Sequence, residues 1–226
     1  MSSRTFYVPV ARSSRVLVRV PDKHDGLMPV VLALHGMGQS ASELEAQLEP
    51  AIKKGSHIWV IPDGFLPLEK ARDSKIGFSW YLFAGDQGLL KKSMYESCNL
   101  LLSVLDKALE DLPVATSRIS VLGFSQGGYL GSVLGARNPA RISSVGCAGG
   151  RLKHEFFPTV SERSRPAFLQ LHGADDSAVS ASLAERAVQM TNELGYRASM
   201  RTFPGTGHAL TPAMIDSFLT WEATLT

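Results

Sequence analysis

Read as hydrophobic and polar positions, the chain alternates between short apolar runs and longer stretches with a helical period. Pro29-Val30-Val31-Leu32-Ala33-Leu34 is apolar without interruption, and residues 57–61, 118–122, 142–147, 167–171 and 198–203 read as further short strands. Such runs mark strands covered on both faces, as in a parallel sheet. Between them, residues 42–54, 93–112, 129–137, 180–194 and 209–220 carry apolar residues at three- and four-residue steps, the mark of amphipathic helices. Pro50 threatens the last turn of the first of these, whereas Pro212 falls in the first turn of the last, where it is tolerated. Residues 5–10 and 15–20 alternate in strand fashion and predict an antiparallel hairpin. Residues 65–92 show no period and predict a long irregular loop carrying Trp80, Tyr81 and Phe83. Residues 151–165 are polar and unpatterned and predict a small lid. Strands alternating with helices imply an α/β fold with a mostly parallel central sheet and helices on both faces.

The sharpest local signal is Gly123-Phe124-Ser125-Gln126-Gly127-Gly128, placed between a predicted strand and a predicted helix. A G-x-S-x-G turn in that context is the nucleophile elbow of an α/β-hydrolase: the serine projects from a strained turn, and the helix starting behind it aims free N–H groups at the reacting oxygen. In that fold the chain order is serine, acid, histidine. Of His154, His172 and His208, the last lies in Gly205-Thr206-Gly207-His208, between the last strand and the last helix, where the base belongs. The acid should follow the preceding strand, where Asp175 and Asp176 stand side by side; spacing alone does not choose between them. An oxyanion hole needs two backbone donors. These are the N–H of Gln126 and the N–H of Met37 in His35-Gly36-Met37-Gly38. His35 and His172 read as props for adjacent loops. Trp80 reads as a wall of the acyl or alcohol pocket, with plain core packing as its alternative.

Leu34-His35-Gly36-Met37-Gly38, the G-F-S-Q-G-G run, the H-G-x-x-D-x-x-V run from His172 to Val179, and Gly207-His208 together resemble the phospholipase/carboxylesterase family, which includes acyl-protein thioesterases and small bacterial carboxylesterases. The resemblance spans nearly the whole chain. It implies Ser125 as nucleophile, His208 as base and Asp176 rather than Asp175 as acid, a Met37/Gln126 oxyanion pair, and a minimal lid. It implies hydrolysis of carboxylic esters through an acyl-enzyme, with acyl-thioesterase or lysophospholipase action as the alternative and a catalytically silent binding protein as the non-enzyme rival. Two stretches depart from the family pattern: Ser79-Trp80-Tyr81-Leu82-Phe83 lacks the aspartate of a Trp-Phe-Asp segment, and Pro62-Asp63-Gly64-Phe65 replaces a Pro-Asn-Ala-Pro-like turn.

Composition adds bounds. A chain of 226 residues suits one α/β domain, residues 1–226. A net charge of +2 gives no footprint for nucleic acid or an anionic membrane, and no apolar stretch approaches a membrane span. The expected partner is a small-molecule ester or thioester; pairing with a second copy as a homodimer stays open. Cys98 and Cys147 are too few for a disulfide framework and read as buried thiols. Met1 to Val10 shows no apolar signal region or cleavage site, so a reducing cytoplasm is the expectation. No C-x-x-C or H-E-x-x-H pattern occurs, and neither a metal nor an organic cofactor is expected.

Overall fold

The computed structural model describes residues 13–22, 27–70, 75–83, 85–110, 112, 114–158 and 165–225. Seven strands form one sheet: β1 (Val16–Arg19), β2 (Met28–Leu34), β3 (Ile58–Pro62), β6 (Val114–Phe124), β7 (Ile142–Ala148), β8 (Ala167–Gly173) and β9 (Arg197–Phe203), in the order β1-β3-β2-β6-β7-β8-β9. All neighbours pair in parallel except β1 with β3. The expected antiparallel N-terminal pair is thus formed by β1 with β3; residues 5–10 lie outside the described residues. Among the described residues five α-helices accompany the sheet: α1 (Ala41–Ile52), α2 (Gln87–Ala108), α3 (Gln126–Arg137), α4 (Ala181–Glu193) and α5 (Pro212–Ala223).

The two-residue period of the strands sorts the core into two layers. Val30, Leu32 and Leu34 of β2 point to the side of α2 and α3, where they join Met94, Leu101 and Leu134. Val31 and Ala33 point the other way, to Leu44 and Leu48 of α1 and Met214 and Phe218 of α5. Each side of the sheet therefore needs helices, and the uninterrupted apolar run of β2 follows from that double burial. The last strand, β9, alternates between exposed and half-buried residues, as befits a sheet edge.

Two expectations need correction. Residues 65–92 are not irregular: they hold a second, two-stranded antiparallel sheet, β4 (Leu66–Lys70) with β5 (Lys75–Ser79), and the first turn and more of α2, which begins at Gln87 under an Asp86 cap. Pro50 does not break α1. The helix runs on to Ile52, and at its start Ser40 and Glu43 form a reciprocal capping box. Within 151–158 the chain makes a single 3₁₀ turn (His154–Phe156), and Leu152 and Phe156 are buried in the core, so this part is anchored and not a free flap.

From β2 the chain steps to β3 on one side and later returns to β6 on the other. The carboxyl ends of β2 and β6 thus flank the point where the strand order reverses, which is where open α/β sheets bind their ligands.

Candidate active site

Ser125 sits at that point, between the end of β6 and the first residue of α3. Its backbone has φ 51° and ψ −116°, the one positive φ among the described non-glycine residues. Such a conformation costs ~1–3 kcal/mol and persists only where the surroundings impose it. Here they do: Ser125 N–H donates to Ala148 O at 2.8 Å, tying the elbow to the end of β7. Glycine is required on both sides by close approach. A Cβ on Gly123 would collide with the Gly127 carbonyl, and one on Gly127 with the Leu34 carbonyl.

His208 Nε2 lies 3.0 Å from Ser125 Oγ, and His208 Nδ1 lies 2.8 Å from Asp176 Oδ2. The carboxylate can only accept, so Nδ1 carries the hydrogen and Nε2 turns its lone pair to the serine. Asp176 Oδ1 accepts the N–H groups of Ala178 and Val179, both at 2.9 Å. Burial opposes its ionisation, but the Val179 N–H, His208 and the Ala178 N–H outweigh that and hold its carboxyl below the ordinary aspartate range. Asp175 is exposed; its contribution is its backbone N–H, which donates to Thr206 O at 2.9 Å and ties the two loops together. His172 is fully buried, bonded through Nε2 to Val179 O at 2.8 Å, which braces the Asp176 loop. Phe124 packs on the His208 ring, centroids 5.1 Å apart.

The N–H groups of Met37 and Gln126 have no acceptor among the described residues. Met37 is 63% exposed, so it does not fill a core gap. Its loop is held on each side. Gly36 N–H donates to Gln39 Oε1 at 2.8 Å, Gly38 N–H to Phe78 O at 2.8 Å, and Phe78 N–H to Gln39 O at 2.9 Å. The β4–β5 hairpin therefore buttresses the Met37 turn. The Gln126 side chain does comparable work: its Oε1 accepts Trp80 N–H at 3.0 Å, and its Nε2 donates to Ser79 Oγ at 2.8 Å and Tyr81 O at 3.2 Å. Sequence reasoning missed Ser79, Gln39 and the Gln126 side chain in these roles.

Trp80 takes the packing alternative read from the sequence. It is 0% exposed, its indole N–H donates to His35 O at 2.8 Å, and its ring packs on His35 and Phe65. The residue supports the Met37 loop from beneath. A buried indole needs a partner for its N–H, and the loop carbonyl supplies it. His35 is likewise buried, accepting Gly64 N–H on Nε2 at 3.0 Å and facing Gly36 O through Nδ1 at 2.7 Å. Among the described residues, no three His, Cys, Asp or Glu side chains converge as a metal-binding group.

Residues 17–224 match the model of the phospholipase/carboxylesterase family. The chain belongs to the phospholipase/carboxylesterase family. A curated relative, acyl-protein thioesterase 1 of Gibberella zeae, is 28% identical over 112 residues, 47% of this chain and 47% of that protein; the match spans about half the length of that relative. Among solved structures, esterase PE8 superposes with a TM-score of 0.74 at 20% identity, covering 95% of this chain and 99% of the other. Acyl-protein thioesterase 2 of Zea mays gives a TM-score of 0.73 at 17% identity, covering 93% and 98%. These likenesses establish the α/β-hydrolase architecture.

Proposed function

We propose that the chain works as one domain and cleaves carboxylic esters with Ser125 as nucleophile, His208 as base and Asp176 as the acid that orients it. The observation that supports this reading is the hydrogen-bonded line from Ser125 Oγ through both ring nitrogens of His208 to Asp176. Ser125 Oγ attacks the carbonyl carbon as His208 Nε2 takes its proton. Asp176 stabilises the imidazolium that results. The N–H groups of Met37 and Gln126 receive the oxyanion. His208 then returns the proton to the departing alcohol, and water, activated by His208, resolves the acyl-enzyme. The residues need no metal or organic cofactor for these steps. Two free buried thiols, Cys98 and Cys147, suit work in a reducing cytoplasm.

Acyl-thioester hydrolysis is the second reading. It is favoured by the similarity to an acyl-protein thioesterase, and the same residues would perform it. Comparing kcat/KM on short p-nitrophenyl esters and on a palmitoyl thioester separates the two. Ser125→Ala should abolish both activities and covalent labelling by a fluorophosphonate probe, with the melting temperature little changed. Residual turnover above a few per cent of wild type would reject Ser125 as nucleophile, and a wild-type chain inert to the probe would favour a silent binding fold.

A further inference from the structure

After β7 the chain turns through Gly149 and Gly150 and presents Arg151, Lys153 and Glu155 in quick succession. This segment edges the site. A Cβ on Gly149 would lie 3.6 Å from His208 Cε1, and one on Gly150 would lie 2.8 Å from the Ser125 carbonyl oxygen. Arg151 follows directly, with its guanidinium carbon 5.9 Å from the centre of the Tyr129 ring. Tyr129 is one helical turn beyond the nucleophile, its N–H donating to Ser125 O at 3.1 Å. Arg151 thus stands beside the first turn of α3, the helix that starts at the nucleophile.

Charge on that flank is unbalanced. Glu155 pairs with Arg151 through both oxygens, at 2.7 and 3.1 Å, and its Oε1 lies 3.4 Å from Lys153 Nζ. Two cations share one carboxylate. Lys153 Nζ further meets the neutral Gln87 Oε1 at 3.2 Å and lies 4.5 Å from the centre of the Phe156 ring. Burial alone would push the Glu155 carboxyl up, but the Arg151 hydrogen bonds, its own backbone N–H and the two positive charges bring it down to about 2. It is therefore fully ionised and fully used. Burial draws the Lys153 ammonium down, while the Glu155 charge holds it up. Asp176 adds its negative charge nearby but pairs with neither cation, both of its oxygens being engaged by His208, Ala178 and Val179. Tyr129 stays a neutral phenol, because burial raises its pKa. The Arg151 side chain is 21% exposed, and its Nε–H has no acceptor among the described residues. A half-dry guanidinium with a free donor, beside a nucleophile, is suited to a planar carboxylate.

We propose that Arg151 selects esters bearing a second, ionised carboxylate: half-esters of short dicarboxylic acids, or esters of carboxylate-bearing alcohols. This rests on the esterase reading above and adds the substrate class. The test uses the full chain and matched pairs followed by acid release. Monomethyl glutarate against methyl valerate places the carboxylate on the acyl side; 3-acetoxypropionate against propyl acetate places it on the alcohol side. Wild type should favour the charged member of at least one pair in kcat/KM, and the preference should shrink as salt is raised. Arg151→Gln should lower the charged-to-neutral ratio about tenfold, at the low end of what a hydrogen bond to a charged group supplies. Glu155→Gln should raise it, and Arg151→Lys should retain part of it. A merely structural role would move both ratios in one direction. An unchanged ratio in Arg151→Gln, or a fall in both Gln variants, overturns the proposal while leaving the esterase reading standing. Failure to hydrolyse any ester removes both. Should Arg151→Gln not fold, the Glu155→Gln ratio and the salt response of wild type decide.

Discussion

Asp175 and Asp176 are neighbours with opposite surroundings. One is exposed and works through its backbone; the other is buried, accepts two N–H groups and faces His208. Asp176→Asn should therefore lower kcat steeply, because an amide favours the wrong imidazole tautomer; the loss is about 10⁴ in a serine protease. Asp175→Asn should change kcat by only a small factor. Steady-state rates on one activated ester check both, and reversed effects would move the acid by one residue. Trp80 gives a second contrast. Since its indole N–H is bonded to His35 O, Trp80→Phe leaves a buried carbonyl without that donor, at a cost of about 1–3 kcal/mol. The expected outcome is a lower melting temperature and a uniform fall in kcat/KM over a series of ester lengths. A shift in preferred length would instead restore Trp80 to the substrate pocket. Ser125, His208 and Asp176 were legible in the sequence because glycine-rich turns at strand ends punctuate the chain around them. The Gln126 amide and Ser79 were not, because their hydrogen bond joins positions 47 residues apart and neither carries a local signature.

At the scale of elements, the β4–β5 hairpin is the feature that sequence reading lost. β4 has only Leu66 and Leu68 as alternating apolar residues, with Pro67 between them and Lys70 ending the pattern, and Gly77 weakens that of β5. The apolar period places the start of α2 at Ser93, because Gly88 in its first turn and the sparse apolar residues there hide the Asp86 cap. The parallel strands, by contrast, were readable from burial on both faces. The hairpin matters because Phe78 exchanges both of its backbone hydrogen bonds with the Met37 turn, through Gly38 N–H and Gln39 O. Phe78→Pro removes one of them. We expect kcat to drop by roughly 10- to 100-fold, short of the ~10²–10³ lost when an oxyanion donor is removed outright. The far-UV circular dichroism of the main sheet and helices should stay unchanged. An unaltered kcat would show that the turn holds its shape without the hairpin.

For the molecule as a whole, stability in acid should carry the imprint of Glu155. Its carboxyl is lowered from 4.5 to about 2 in the folded chain. The stabilisation is complete above pH 4.5 and is lost as pH falls toward about 2. Melting temperature plotted against pH should fall less steeply across that window in Glu155→Gln than in wild type; parallel curves would refute the assignment. The site is also assembled from distant chain. Ser125 and His208 are 83 residues apart, Asp176 and His208 are 32, and Gln126 and Trp80 are 46. Contacts of such separation are slow to form, since each closes a long loop before it stabilises anything. Helical signal can return while β8 and β9 are still finding their places. In a refolding experiment, catalytic competence should then be the last property regained, and the interval between regained helicity and regained turnover measures how long the final strands take to dock.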